Sequence, residues 1–302
     1  MLTGNEKYWQ LPGYRPSFLY ASEIIKHYAR SFSVASRFLP EKKRWATYAV
    51  YSFCRYADNL VDNPRDRAVE QLLGELNNLK EELDIACVTG ESEHPALKPF
   101  VLSCRLYDIP VKYAYDLIEG VTMDLNQFRY KNFDELYLFC YRVAAVVGLM
   151  MTYILGFRDK EVPYYAEKMG IAMQLTNILR DIKEDKDMGR IYLPLDEMEQ
   201  FGISERDIIE ENFSAEMEKF MRFQVERAHE YYEEALPGIR GLDKSARFAI
   251  YAAARIYRGI LRKIEERGFN PFLGRVYVPN SRKLGILIHE FVKVRAGMND
   301  KE

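Results

Sequence analysis

Long stretches without proline, filled with apolar residues three and four apart, constrain this chain more than any other feature. Proline-free windows run over 17–39, 41–63, 65–94, 111–162, 164–193, 195–236 and 238–270. Within them apolar side chains recur at helical spacing, as in Tyr48, Tyr51, Phe53 and Leu60, or Ile171, Leu175, Ile178 and Leu179. Such spacing puts them on one face of a helix, where they can be buried together. Period-two alternation bounded by turn residues is nearly absent, and the one β-like piece is Arg275-Val276-Tyr277-Val278. The pattern predicts an all-α protein of about ten helices. With no linker, repeat or low-complexity tract, residues 1–302 read as a single domain. The acidic stretch from Glu205 to Glu218 reads as a solvated helix face.

Composition narrows the function. The net charge of −2 gives no reason to expect a nucleic-acid partner. With 48% apolar residues the chain can bury a large core, and its 22 Tyr and 17 Phe suggest a wide apolar interior rimmed by hydroxyls. Cys54, Cys87, Cys104 and Cys140 lie far apart, with no C-x-x-C pair, and read as reduced thiols. No basic-then-apolar leader opens the chain, so a cytoplasmic location is expected. The longest apolar run, Val143 to Phe157, has 15 residues, short of the roughly 20 that span a bilayer. It reads as a core helix, leaving the protein soluble or in peripheral contact with a membrane. There is no G-x-G-x-x-G, no G-x-x-x-x-G-K-[ST] and no G-x-S-x-G. The four histidines (His27, His94, His229, His289) are scattered. Neither a His-based zinc site nor a Ser-His triad has a local foundation.

One spacing occurs twice. Asp58 and Asp62 lie four apart, and so do Asp181 and Asp185. On a helix each pair presents two carboxylates side by side. Asn177 extends the second pair by another turn, with Gln174 just before it, and Arg55 and Tyr51 extend the first. Both pairs sit in apolar sequence. Like charges four apart repel, and buried carboxylates are costly, so a cation should compensate them. Without histidine or thiolate nearby, hard oxygen ligands point to Mg²⁺, which takes one or two carboxylates and completes its shell with phosphates and water. The residues imply a helical cavity in which two acidic walls hold Mg²⁺ and a diphosphate, with an aromatic interior for the hydrocarbon.

These residues also carry a resemblance. The block Gly170-Ile171-Ala172-Met173-Gln174-Leu175-Thr176-Asn177-Ile178-Leu179-Arg180-Asp181, followed by Gly189-Arg190-Ile191-Tyr192-Leu193-Pro194-Leu195-Asp196-Glu197, resembles the squalene/phytoene synthase family of head-to-head prenyl transferases. Tyr141 to Met151 looks like the phytoene-synthase branch. Ala29-Arg30-Ser31-Phe32-Ser33 and the stretch from Arg275 to Lys283 match as well, so the likeness runs from about Tyr20 to Lys283. The resemblance implies an all-α isoprenoid-synthase helical bundle around a central cavity. It implies Asp58, Asp62, Asn177, Asp181 and Asp185 as the Mg²⁺ site, with Mn²⁺ as a substitute. Ser31, Ser33, Arg55, Arg180, Arg275 and Lys283 would hold diphosphate oxygens, and Tyr51, Arg55, Gln174 and Tyr257 would form the reaction centre. One departure stands out: Phe139 occupies a position where the family usually has Tyr near the reacting carbons, and Phe can neither donate nor accept a hydrogen bond.

The implied reaction joins two geranylgeranyl diphosphates into phytoene through a cyclopropylcarbinyl diphosphate. Alternatives are condensation of farnesyl diphosphate to presqualene diphosphate, dehydrosqualene or squalene, the last needing NADPH. A single-substrate terpene synthase or prenyl diphosphatase is a further reading. A non-catalytic assembly or binding relative is the reading from another class. The oligomeric state is open.

Overall fold

In a computed structural model, residues 7–62 and 67–295 are described, with Arg30, Ser31, Val294 and Arg295 given by their backbone alone. Ten helices of ten or more residues form the body: α1 (Arg15–Tyr28), α3 (Glu41–Asp62), α4 (Val69–Thr89), α5 (Leu97–Tyr107), α6 (Lys112–Asn126), α8 (Val146–Leu155), α9 (Val162–Asp187), α12 (Ala215–Ala235), α13 (Lys244–Glu266) and α14 (Asn280–Arg295). Shorter helices fill the connections: α2 (Arg30–Ser36), α7 (Phe133–Cys140), α10 (Leu195–Gln200) and α11 (Glu205–Ile209). Their ends follow side-chain chemistry. Asn132, Ser204 and Ser214 accept hydrogen bonds from the amides of Glu135, Asp207 and Met217 and so cap α7, α11 and α12. Pro163 sits in the first turn of α9, where its missing N–H costs nothing.

α9 is the spine. It packs against α12, α8 and α13, while α3 packs against α1, α5, α6 and α8. The core between them is one continuous cluster containing Phe53, Phe100, Met150, Leu175, Phe220 and Tyr232. α7 continues into α8 through a single π-helical turn, Tyr141–Ala145. Both neighbours approach this turn through a glycine. A β-carbon on Gly170 of α9 would lie 2.4 Å from Ala145 Cα, and one on Gly120 of α6 would lie 2.7 Å from Arg142 Cβ. No side chain fits there, because two backbones already occupy the space.

Four expectations change. Arg275 to Val278 is not a strand. Among the described residues the strands are instead β1 (Arg129–Tyr130) and β2 (Ile191–Pro194), paired in parallel, so the proline-free window 111–162 breaks without proline. The acidic stretch 205–218 is not one helix face; it breaks after Ile209, and Glu211 takes positive φ and bridges Lys183 and Lys186 on α9. The helix that carries the apolar run extends back to Phe133, so Phe133–Leu155 has 23 residues, long and apolar enough to cross a membrane by length and composition, with 56% of its apolar window buried in the protein. Cys54, Cys104 and Cys140 are buried, Cys87 is partly so, and all four are free thiols.

Candidate functional site

The two carboxylate pairs end two neighbouring walls. α3 presents Tyr51, Arg55, Asp58 and Asp62 on successive turns, and α9 presents Gln174, Asn177, Asp181 and Asp185. Tyr257 comes from α13. Tyr51, Arg55, Asp58, Gln174, Asn177 and Tyr257 line one cavity of about 340 Å³. The rest of its lining is mostly apolar, including Val147, Met151, Leu155, Met169 and Ile250. Along α9 the wall passes from Met169 and Met173 to the amides of Gln174 and Asn177, and Asp181 follows one turn later. The cavity is therefore greasy for most of its length and polar at one end.

At that polar end, burial and neighbouring carboxylates make the charged form of an aspartate costly. Burial, then the facing charges of Asp62 and Asp124, push the Asp58 carboxyl up to about 7, although Arg55 opposes them. Burial, then Asp181, push Asp185 up to about 7, with Arg190 opposing. Both pairs also lie in the C-terminal parts of their helices, where the helix dipole disfavours anions. Asn177 Oδ1 is buried with no hydrogen-bond partner, while its Nδ2 donates to Gln174 Oε1 at 3.3 Å. Buried oxygens without donors suit a hard cation. Among the described residues no group of three or more His, Cys, Asp or Glu side chains could hold a metal by itself. Each wall offers two carboxylates, which fits an ion that draws its remaining ligands from phosphate and water.

Arginines cover the carboxylates. Arg180 grips Asp181 through two hydrogen bonds, Nε–Oδ1 at 2.7 Å and Nη2–Oδ2 at 2.6 Å. Arg275, from the loop before α14, meets the same carboxylate, with Nε 3.0 Å from Oδ1. Arg55 pairs with Asp62 at 3.2 Å and lies over the Tyr28 ring at 4.4 Å. These guanidinium groups crowd the polar end, ready to share themselves with a bidentate anion.

Three further residues stand there that the four-residue spacing does not mark. Asp124, in the last turn of α6, adds its charge to those felt by both Asp58 and Asp185. It accepts a 2.7 Å hydrogen bond from Tyr192 Oη, and Arg190 Nη1 lies 3.7 Å from its other oxygen. Asp124 has no carboxylate partner one turn away on its own helix, so nothing in the spacing marked it. Arg190 and Tyr192 lie inside the Gly189–Glu197 family block, the signal in the sequence that marks them.

The other expected residues lie off the cavity. Asp62, Asp181 and Asp185 extend beyond its lining, and Lys283 sits in the first turn of α14. Ser33 is buried in α2, which reaches the cavity through Phe32; the Ser31 side chain lies outside the described residues. Phe139 does not line the cavity. It is 2% exposed and stacks on Tyr192 at 5.2 Å, with Tyr130 at 5.4 Å. Its face of α7 is turned to the strand pair, so it meets the site only through Tyr192.

Known proteins resemble this chain over most of its length. The family model described as squalene/phytoene synthase matches residues 25–282. A 15-cis-phytoene synthase from Synechococcus elongatus is 39% identical over 87% of this chain and 88% of its own length. One from Synechocystis sp. is 36% identical over 87% of this chain and 80% of its own. Among solved structures, a dehydrosqualene synthase superposes with a TM-score of 0.86 at 29% identity, covering 93% of this chain and 98% of that one. A squalene synthase from Alicyclobacillus acidocaldarius gives 0.79 at 27%, covering 85% and 96%.

Proposed function

The chain belongs to the squalene/phytoene synthase family, and on that premise we propose that it is a prenyltransferase joining two geranylgeranyl diphosphates head to head into phytoene. The 39% identity to a 15-cis-phytoene synthase over most of both chains carries the choice of substrate.

Asp58 and Asp62 on one wall, and Asn177, Asp181 and Asp185 on the other, would hold Mg²⁺, or Mn²⁺ in its place. An ion held there would supply charge neutralisation for a departing diphosphate. Arg55, Arg180 and Arg275, with Ser31, Ser33 and Lys283, supply donors to diphosphate oxygens. Arg180 and Arg275 hold Asp181 in position until the anion arrives, and the guanidinium fork can serve both partners. The apolar cavity excludes water, which would otherwise trap an allylic cation as an alcohol. Tyr51 and Tyr257 offer aromatic faces beside the developing positive charge. The second substrate's double bond attacks that cation, and loss of a proton closes the ring to the cyclopropylcarbinyl diphosphate. A second ionisation and loss of a proton give the hydrocarbon; hydride from NADPH enters only in a squalene-forming variant. The lipid substrate and product favour a cytoplasmic enzyme in peripheral contact with a membrane.

Similarity to dehydrosqualene and squalene synthases supports a second reading, condensation of farnesyl diphosphate. Product analysis separates the two. Protein would be incubated with Mg²⁺ and either diphosphate, with and without NADPH, and extracts read by mass spectrometry. A C40 hydrocarbon formed without NADPH is expected. A C30 product or presqualene diphosphate would move the assignment to the shorter substrate. Prenyl alcohols alone would mean ionisation without coupling, and no turnover would favour a non-catalytic binding relative.

A further inference from the structure

The cavity has an apolar far end, and a charged pair stands behind it. On α9 the lining runs from Val162 to Asn177, fifteen residues that span about 22 Å of helix. Leu155 at the end of α8, Val162 at the start of α9, and Ile239 and Leu242 ahead of α13 line the end away from the carboxylates. Lys43, in the first turn of α3, precedes Asp58 by the same fifteen residues, so it stands about as far from the polar end. It is 8% exposed, although lysine is almost never buried without a partner.

Its partners belong to two other helices. Lys43 Nζ donates to the carbonyl of Leu155 and, at 2.6 Å, to Asp243 Oδ2. A helix leaves its last carbonyls without internal donors and carries negative potential there, so an ammonium suits the end of α8. Asp243 immediately precedes α13, where an aspartate ordinarily caps the helix with its carboxylate. Here it makes no cap hydrogen bond, and the carboxylate turns to Lys43 instead. It lies so close over Gly156, at φ +76°, that a β-carbon there would fall 2.4 Å from Oδ2. The Asp243 amide donates to Gly156 O at 2.8 Å, and Phe157 pairs with Leu242 in an antiparallel bridge. Three segments, the starts of α3 and α13 and the end of α8, thus converge on one ammonium beside two residues that line the cavity.

Burying an ammonium carries a desolvation cost that an apolar contact would avoid. What the charge-assisted bonds add is fixed geometry. They hold the Leu155 carbonyl and the start of α13 at a set separation, so the wall carried by Leu155 and Leu242 does not yield to a longer chain.

Resting on the prenyltransferase reading, we propose that Lys43 and Asp243 are positioning residues that set the longest prenyl chain the cavity accepts. Neither lines the cavity. Their pairing keeps Leu155 and Leu242 together across its far end, and a diphosphate with a longer tail is excluded there.

The test uses the full chain with Mg²⁺ and farnesyl, geranylgeranyl and geranylfarnesyl diphosphates. Steady-state kinetics would be read for wild type, Lys43→Met, Asp243→Asn and Asp207→Asn, and the affinities of the three matching S-thiolodiphosphates measured by calorimetry. Lys43→Met and Asp243→Asn should each raise kcat/KM for the longest substrate relative to geranylgeranyl diphosphate by about fivefold, with the analogue affinities shifting alike. Asp207→Asn, which loosens the fold away from the cavity, should leave that ratio unchanged. Equal losses for all three lengths, or a ratio that moves in Asp207→Asn as well, would make the pair merely structural and overturn the proposal. A shift in analogue affinity without turnover would keep the pair's role and overturn the prenyltransferase reading; binding of no analogue would overturn both. Asp243 is half-exposed, so Asp243→Asn keeps the test valid if Lys43→Met misfolds.

Discussion

Asp58 shows how a single side chain can be costly to the fold and useful to the site. Its carboxyl is pushed up to about 7 by burial and by Asp62 and Asp124, so the folded protein holds it against its preference. Asp58→Asn keeps the shape and removes the charge. Turnover should fall roughly 100-fold or more, with far-UV circular dichroism unchanged; wild-type rates would remove Asp58 from the site. Tyr192 stands at the opposite edge. Tyr192→Phe takes away the 2.7 Å hydrogen bond to the partly buried Asp124 and should cost about 1–3 kcal/mol in urea unfolding. A cost near zero would mean that Arg190 alone satisfies Asp124.

At the scale of elements, the crossing of α9 over the π-helical turn governs where the second wall stands. Gly170→Ala places a methyl 2.4 Å from Ala145 Cα, and backbone cannot swing aside as a side chain can. A loss of about 1–3 kcal/mol should appear as a lower denaturant midpoint, together with weaker substrate binding, because Gln174 and Asn177 shift with the helix. An unchanged midpoint would show that the crossing has slack. The start of α11 gives the pH dependence. Hydrogen bonds from the side chain and amide of Ser204, then from Asn212, hold Asp207 down at about 2. A depressed carboxyl stabilises the fold above its unfolded value near 3.9 and loses that contribution as pH falls towards 2. Asp207→Asn should therefore differ from wild type at pH 6 and converge with it near pH 2 in thermal melts. A gap that stays constant with pH would assign the effect to packing.

Across the whole molecule, the cavity between α3, α8, α9 and α13 sets what length of hydrocarbon fits. Met151 and Leu155 line it on the α8 side, away from the carboxylates in sequence and in the fold. Met151→Trp should reduce kcat/KM for geranylgeranyl diphosphate more than for farnesyl diphosphate, since the added volume lies in the apolar length and leaves the diphosphate end intact. Equal losses for both would place the chain-length control elsewhere.

Helical character, the windows that became α3, α9, α12 and α13, and the two carboxylate pairs were legible in the residues alone. Each depends on local periodicity: a side chain four places along a helix lies on the same face whatever surrounds it. Tyr51, Arg55, Asp58, Gln174, Asn177 and Tyr257 met in one cavity because periodicity assigns faces, and the family motifs named which faces matter. Only the tertiary structure brought Asp124 from α6, and Arg190 and Tyr192 from the strand pair, to the same carboxylates, because those contacts join segments more than sixty residues apart. It also turned Phe139 away from the cavity, set Arg275 onto Asp181 from a loop rather than a strand, and tied Lys43 to Asp243 across 200 positions of sequence. Burial, register and the meeting of distant charges depend on how helices cross, and crossing is decided by close packing at points such as Gly170 and Ala145, which no local pattern records.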